Sequence, residues 1–124
     1  MPRVRILVAD DADFMYEMLE NLIDKNRYEV VGYAADGEEA VRKFKDLAPD
    51  LVTMDILMPR MNGIKSIKEI RRASPGARIL VISALSDPQL VKDAIEAGAA
   101  DYITKPFSVG DLKNRIAKVM ETAG

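Results

Sequence analysis

Five short apolar runs, each followed by a longer stretch of helical period, constrain this chain more than any other feature. Val4–Ala9 reads VRILVA and residues 30–34 read VVGYA. LVTM at Leu51–Met54, ILVI at 79–82 and YIT at 102–104 follow. The runs lack strict polar alternation, which marks strands covered on both faces, as in a parallel sheet. Between them, Met15, Met18, Leu19, Leu22 and Ile23 fall at i, i+3, i+4, i+7 and i+8. That spacing makes one apolar stripe on a helix. Ala40, Val41, Phe44, Leu47 and Ala48 form a second stripe behind Asp36-Gly37, and Ile64, Ile67 and Ile70 a third behind Asn62-Gly63. Asp87-Pro88 supplies a capping residue and a proline suited to the first helical position. Leu90, Val91, Ala94 and Ile95 form the stripe behind it, and Gly98 offers a stop. Ser108 with Asp111 three residues on resembles a capping box, and Leu112, Ile116, Val119 and Met120 then face inward.

The order is strand then helix, five times. Such alternation implies a parallel sheet with right-handed crossovers and helices on both faces. Five units suit a flavodoxin-like doubly wound sheet of strand order 2-1-3-4-5, and an eight-unit barrel needs about twice the length. The 124 residues suit one domain over 1–124, with no linker or repeat.

Composition removes several chemistries. Eighteen Lys and Arg against 20 Asp and Glu give a net charge of −2, and the pI is near 5.2. That balance argues against a binder of nucleic-acid backbone. There is no Cys and no His. Thiolate nucleophiles, His bases, His-ligated zinc and a phosphohistidine of the chain's own are therefore excluded. No apolar stretch approaches the ~20 residues of a membrane span, and no signal-peptide core is present. A cytoplasmic location is expected.

Open α/β sheets place ligands beyond the C-terminal ends of the strands, at the switch point between the first and third. Here the first run ends in Asp10-Asp11, the third in Asp55, the fourth in Ser83 and the fifth in Thr104-Lys105. Singly, each is an ordinary cap, loop hydroxyl or solvated charge. Together they form a cluster of acids on adjacent strands, and like charges repel unless a cation or proton intervenes. With oxygen ligands alone, the matching cation is hard: Mg²⁺, Mn²⁺ or Ca²⁺. Ser83 has no His to activate it and is rejected as a nucleophile. A carboxylate can itself accept a phosphoryl group, and Asp55 is the central one, with Lys105 opposite to neutralise the developing charge. The methionines read as core, with Met58 and Met61 partly exposed beside Pro59. Lys65, Lys68, Arg71 and Arg72 read as a solvated helix face.

Asp10-Asp11, MDILMPRMNG around Asp55, ISA at 82–84 and TKPF at 104–107 together resemble the receiver domain of two-component response regulators. The similarity runs from Val4 to about Met120. It implies that Asp55 is the phosphoacceptor. It implies that Asp11 and Asp55 are side-chain Mg²⁺ ligands, that Asp10 acts mostly through metal-bound water, and that the Leu57 backbone carbonyl completes the protein ligands. Lys105 would pair with the acyl phosphate, Ser83 would be the switch hydroxyl and Tyr102 the switch aromatic, and Lys105–Pro106 would be cis. The donor would be a phosphohistidine on a sensor kinase. Output would be a changed surface on the fourth helix, fifth strand and fifth helix, with Tyr102 swinging inward as Ser83 moves to the phosphoryl group. Catalysis would extend only to the domain's own phosphorylation and dephosphorylation. Leu57 and Leu85 depart from the polar residues common at those places, and both are expected to restrict attacking water.

DDADFMYEMLENLI and TKPF look most like stand-alone chemotaxis members, which act on a motor switch or adaptor protein. A phosphorelay shuttle, or a receiver cut from a longer regulator, are the alternatives. Aspartate-nucleophile phosphatases need a second acid at position 57, where Leu stands. A flavodoxin-like mononucleotide binder needs a Gly-, Ser- and Thr-rich loop where DDADF stands.

Overall fold

The computed structural model describes residues 3–121; the ends of the expected 1–124 domain lie outside the described residues. Ten elements alternate: β1 (Val4–Ala9), α1 (Phe14–Leu22), β2 (Tyr28–Ala34), α2 (Gly37–Leu47), β3 (Leu51–Met54), α3 (Gly63–Ala73), β4 (Ile79–Ser83), α4 (Pro88–Ala97), β5 (Asp101–Thr104) and α5 (Val109–Glu121). The strands form one parallel sheet in the order β2-β1-β3-β4-β5. This is the flavodoxin-like order expected from the alternation. β2 starts two residues earlier than its apolar run, because Tyr28 pairs with Val4. β4 takes in Ser83, which pairs with Thr104.

Successive strand residues point to opposite faces, and each face has its own core. Leu7, Ala9, Ile79 and Val81 pack under α2, α3 and α4 with Phe44, Ile67, Ile70 and Ala94. Ile6, Val8, Leu80 and Ile82 pack under α1 and α5 with Leu19, Leu112, Ile116 and Val119. Burying each Leu or Ile contributes about 1.5–3 kcal/mol before entropy is subtracted. Sheet and helices thus hold the strand ends in a rigid row.

The helix starts follow their capping residues. Asp36 accepts from the Glu39 amide at 2.8 Å, Asn62 from Lys65 at 3.0 Å and Asp87 from Gln89 at 2.8 Å. Gly98 ends α4 at φ 124°, a left-handed conformation that glycine adopts without strain. Only half of the capping box at α5 forms. Ser108 Oγ accepts from the Asp111 amide at 3.0 Å, while the Asp111 carboxylate turns to Arg115 Nε at 3.4 Å. Three expectations need correction. Ala48, placed in the second stripe, is exposed and forms the left-handed C-cap of α2 at φ 46°. Ile95 lies on the outer side of α4 and is 44% exposed. Met58 is buried and joins the α2–α4 core, since the loop after β3 folds inward. Among the described residues no helix is long and apolar enough to cross a membrane.

Candidate functional site

The ends of β1 and β3 are adjacent because Ala9 pairs with Met54. The next residue after each strand is an aspartate. Asp10 donates its amide to the Ala34 carbonyl at 2.9 Å, and Asp55 donates its amide to the Ala9 carbonyl at 2.9 Å. The sheet's own ladder therefore fixes both side chains at the edge. Asp10 and Asp55 are buried, and Asp11 stands exposed at the rim. Carboxylate oxygens of Asp10, Asp11 and Asp55 all lie within 4.8 Å of one another.

Lys105 enters from the end of β5, after its amide binds the Ser83 carbonyl at 2.8 Å. The Lys105–Pro106 bond is cis. Its Nζ donates to Asp10 Oδ2 at 2.9 Å and lies 3.6 Å from Asp55 Oδ2. One cation thus faces two buried acids, with a third beside them. Asp55 Oδ1 accepts from the Ile56 amide at 2.7 Å and the Leu57 amide at 3.4 Å. Burial pushes the Asp55 carboxyl above its ordinary range; Lys105 pulls it down, Asp10 pushes it up, and the two amides pull it down. Burial also raises the Tyr33 phenol, assisted by the negative charges of Asp10, Asp13 and Asp11.

The donor set is hard oxygen throughout and carries more negative charge than Lys105 can neutralise. It fits a divalent Mg²⁺-type ion, which takes one or two carboxylates and keeps several waters. The Leu57 peptide is held at the mouth by its amide contact with Asp55, so its carbonyl belongs to the same turn.

Ser83 is fully buried at the end of β4, and its Oγ accepts from the Leu85 amide at 3.2 Å. Tyr102 Oη donates to the Leu85 carbonyl. One peptide segment therefore connects the hydroxyl and the phenol, a link the sequence pattern does not display. Tyr102 is buried in this structure. Burial raises the phenol, the Ser83 hydrogen bond lowers it, and Asp55 raises it. The two leucines beside the site differ. Leu57 is 59% exposed, whereas Leu85 packs against the α2–α4 core. An apolar groove of about 480 Å³ opens next to Lys105, between Phe14 on α1 and Val109 at the start of α5.

Residues 6–117 match the response regulator receiver domain. The chain belongs to that family. The chain is 51% identical over 115 residues to a chemotaxis protein CheY of Thermotoga maritima, covering 93% of this chain and 96% of that one. It is 47% identical over 116 residues to CheY of Bacillus subtilis, covering 94% and 97%. Among solved structures, the response regulator domain of Thermotoga maritima CheB superposes with a TM-score of 0.90 at 37% identity, covering 99% and 100% of the two chains. The CheX–CheY–BeF3–Mg complex from Borrelia burgdorferi gives 0.89 at 37% identity, covering 96% and 90%. This receiver is thus closely related to CheY chemotaxis proteins, and its family is not generally regarded as enzymatic.

Proposed function

We propose that the whole chain is a single receiver unit that takes a phosphoryl group on Asp55 and changes its protein contacts in response. The observation that carries this reading is the placement of Lys105 Nζ within ion-pair reach of both Asp10 and Asp55, with Asp11 completing the acid cluster. Asp10, Asp11, Asp55 and the Leu57 carbonyl would hold Mg²⁺. Bound there, the ion supplies charge neutralisation for the oxygens of a transferring phosphoryl group.

Asp55 is the attacking group. One oxygen is occupied by the Ile56 and Leu57 amides, which leaves Oδ2 to attack phosphorus. The new O–P bond forms as the N–P bond of the donor phosphohistidine breaks, and the imidazole leaves with its electron pair and takes a proton from water. Lys105 stabilises the charge that builds on the phosphoryl oxygens and then pairs with the acyl phosphate. Ser83 donates its hydroxyl to a phosphoryl oxygen. Its present contact with the Leu85 amide must adjust, and the Leu85 carbonyl passes the change to Tyr102. Phosphorylation biases two existing arrangements. Moving the population from mostly one to mostly the other takes about 5 kcal/mol, within reach of a few charge-assisted hydrogen bonds at about 1.5–3 kcal/mol each. The readout face is α4, β5 and α5.

The groove between Phe14 and Val109 supports a protein donor, a chemotaxis-type sensor kinase, because an apolar seat lies beside the reacting groups. The near-full-length likeness to CheY supports output to a motor-switch or adaptor protein in the cytoplasm. The relative crystallised with CheX, BeF3 and Mg supports a site that takes a divalent ion while a partner protein is seated. The test is incubation with acetyl phosphate and Mg²⁺, read by intact mass. Wild type should gain one phosphoryl group, and Asp55→Asn should not. An adduct that persists in the variant places the acceptor elsewhere.

A further inference from the structure

The loop that leaves Asp55 must hold the Leu57 carbonyl in one orientation. At its near end, the Gly63 amide donates to the Ile56 carbonyl at 2.9 Å. At its far end stands Arg60, a non-glycine residue at φ 67°. L-residues enter that left-handed region only at a steric cost, so something must hold it there. The Arg60 guanidinium donates to Asp36 Oδ2, a carboxylate only 5% exposed. The other oxygen of Asp36 caps α2 through the Glu39 amide. Beside this pair, Met61 lies against Gly37 so closely that a Cβ there would sit 1.8 Å from the Met61 carbonyl oxygen. Ser66 Oγ donates to the Gly37 carbonyl at 3.0 Å. The far half of the loop therefore rests on the start of α2.

We propose that Asp36 and Arg60 are positioning residues, a clamp that sets the loop bearing Leu57 and thereby the site's affinity for a divalent cation. The inference rests on the reading of Asp10, Asp11, Asp55 and Leu57 as the ion's ligands. Asp36 touches none of these side chains. It acts through Arg60 and the intervening peptides, as outer partners orient metal ligands elsewhere. The rival role for Asp36 is to cap α2 alone. Asn caps as well as Asp, so Asp36→Asn keeps the cap and weakens only the pairing. Arg60→Gly removes the guanidinium while tolerating the positive φ.

The experiment titrates Mg²⁺ into wild type, Asp36→Asn, Arg60→Gly and Arg60→Lys by calorimetry and amide chemical shifts, with phosphorylation by acetyl phosphate followed in parallel. The first two variants should bind Mg²⁺ weaker by about tenfold or more, the lower end of outer-partner effects. Arg60→Lys, which keeps a cation, should recover part of the loss. Phosphorylation rates should return to the wild-type value at saturating Mg²⁺. Unchanged Mg²⁺ affinity in Asp36→Asn and Arg60→Gly overturns the clamp while leaving the receiver reading intact. Absence of Mg²⁺ binding in wild type overturns both. Should Asp36→Asn unfold, the exposed Arg60→Gly decides alone.

Discussion

Gly63 passes so close beneath Asp55 that a methyl group on it would lie 2.1 Å from the Asp55 carbonyl oxygen. The turn out of β3 and the first turn of α3 are thus in backbone contact, directly behind the proposed phosphoacceptor. Gly63→Ala must push one of them aside. The expected cost is about 1–3 kcal/mol, the usual range for forced overpacking, read as a lower midpoint of denaturant unfolding. The same displacement should slow phosphorylation by acetyl phosphate. A variant with wild-type stability and rate would show that the turn yields freely.

Asp55 provides a pH test with a definite sign. Burial raises its folded-state pKa above the unfolded value. Its ionisation therefore opposes folding: the associated stability is full below the ordinary carboxylate range and is lost as pH rises through the folded pKa. Asp55→Asn should accordingly be more stable than wild type at neutral pH without Mg²⁺. The advantage should vanish as pH falls below about 3.9, the ordinary aspartate value. Thermal unfolding across that pH interval measures it, and a variant less stable at neutral pH contradicts the reasoning.

Divalent cation should reverse that order. A ligand that binds only the folded chain stabilises it by mass action, by about 2.7 kcal/mol at a concentration near one hundred times its Kd. Mg²⁺ should raise the unfolding midpoint of wild type and have little effect on Asp55→Asn or Asp11→Ala, whose acid clusters are incomplete. Equal gains in all three would place the ion at another site.

Leu57 is the one apolar side chain of the pair flanking the site that projects outward. If Asp55 carries the phosphoryl group as proposed, an apolar group there would hinder attacking water. Leu57→Asn should change the decay of the phosphorylated form several-fold, followed by phosphate release. Leu85→Asn should instead act on stability, since Leu85 packs on the core. Identical decay constants for wild type and Leu57→Asn count against any role for position 57 in excluding water.

The fold was legible because its central strands β1, β3 and β4 are buried on both sides and so appear as apolar runs, and because Asp36, Asn62 and Asp87 punctuate the helix starts. The acids and Lys105 were legible because a parallel sheet delivers every strand's next residue to one edge. Other features depend on three-dimensional closure and leave no periodic trace. Ile95 satisfies a helical stripe but lies beyond its packed edge, and Met58 sits in a loop yet folds into the core. The pairing of Asp36 with Arg60 joins two loops far apart in the chain. The contacts of Ser83 and Tyr102 with Leu85 use its main chain, whose partners no side-chain pattern predicts.

The ion pair between Lys105 and Asp10 joins the ends of β5 and β1, with β3 and β4 standing between them. It spans 95 positions of the chain. The charge balance of the candidate site is consequently a property of the whole sheet and of no single segment. Without the segment that follows β5, the acids of β1 and β3 would face one another with no cation between them.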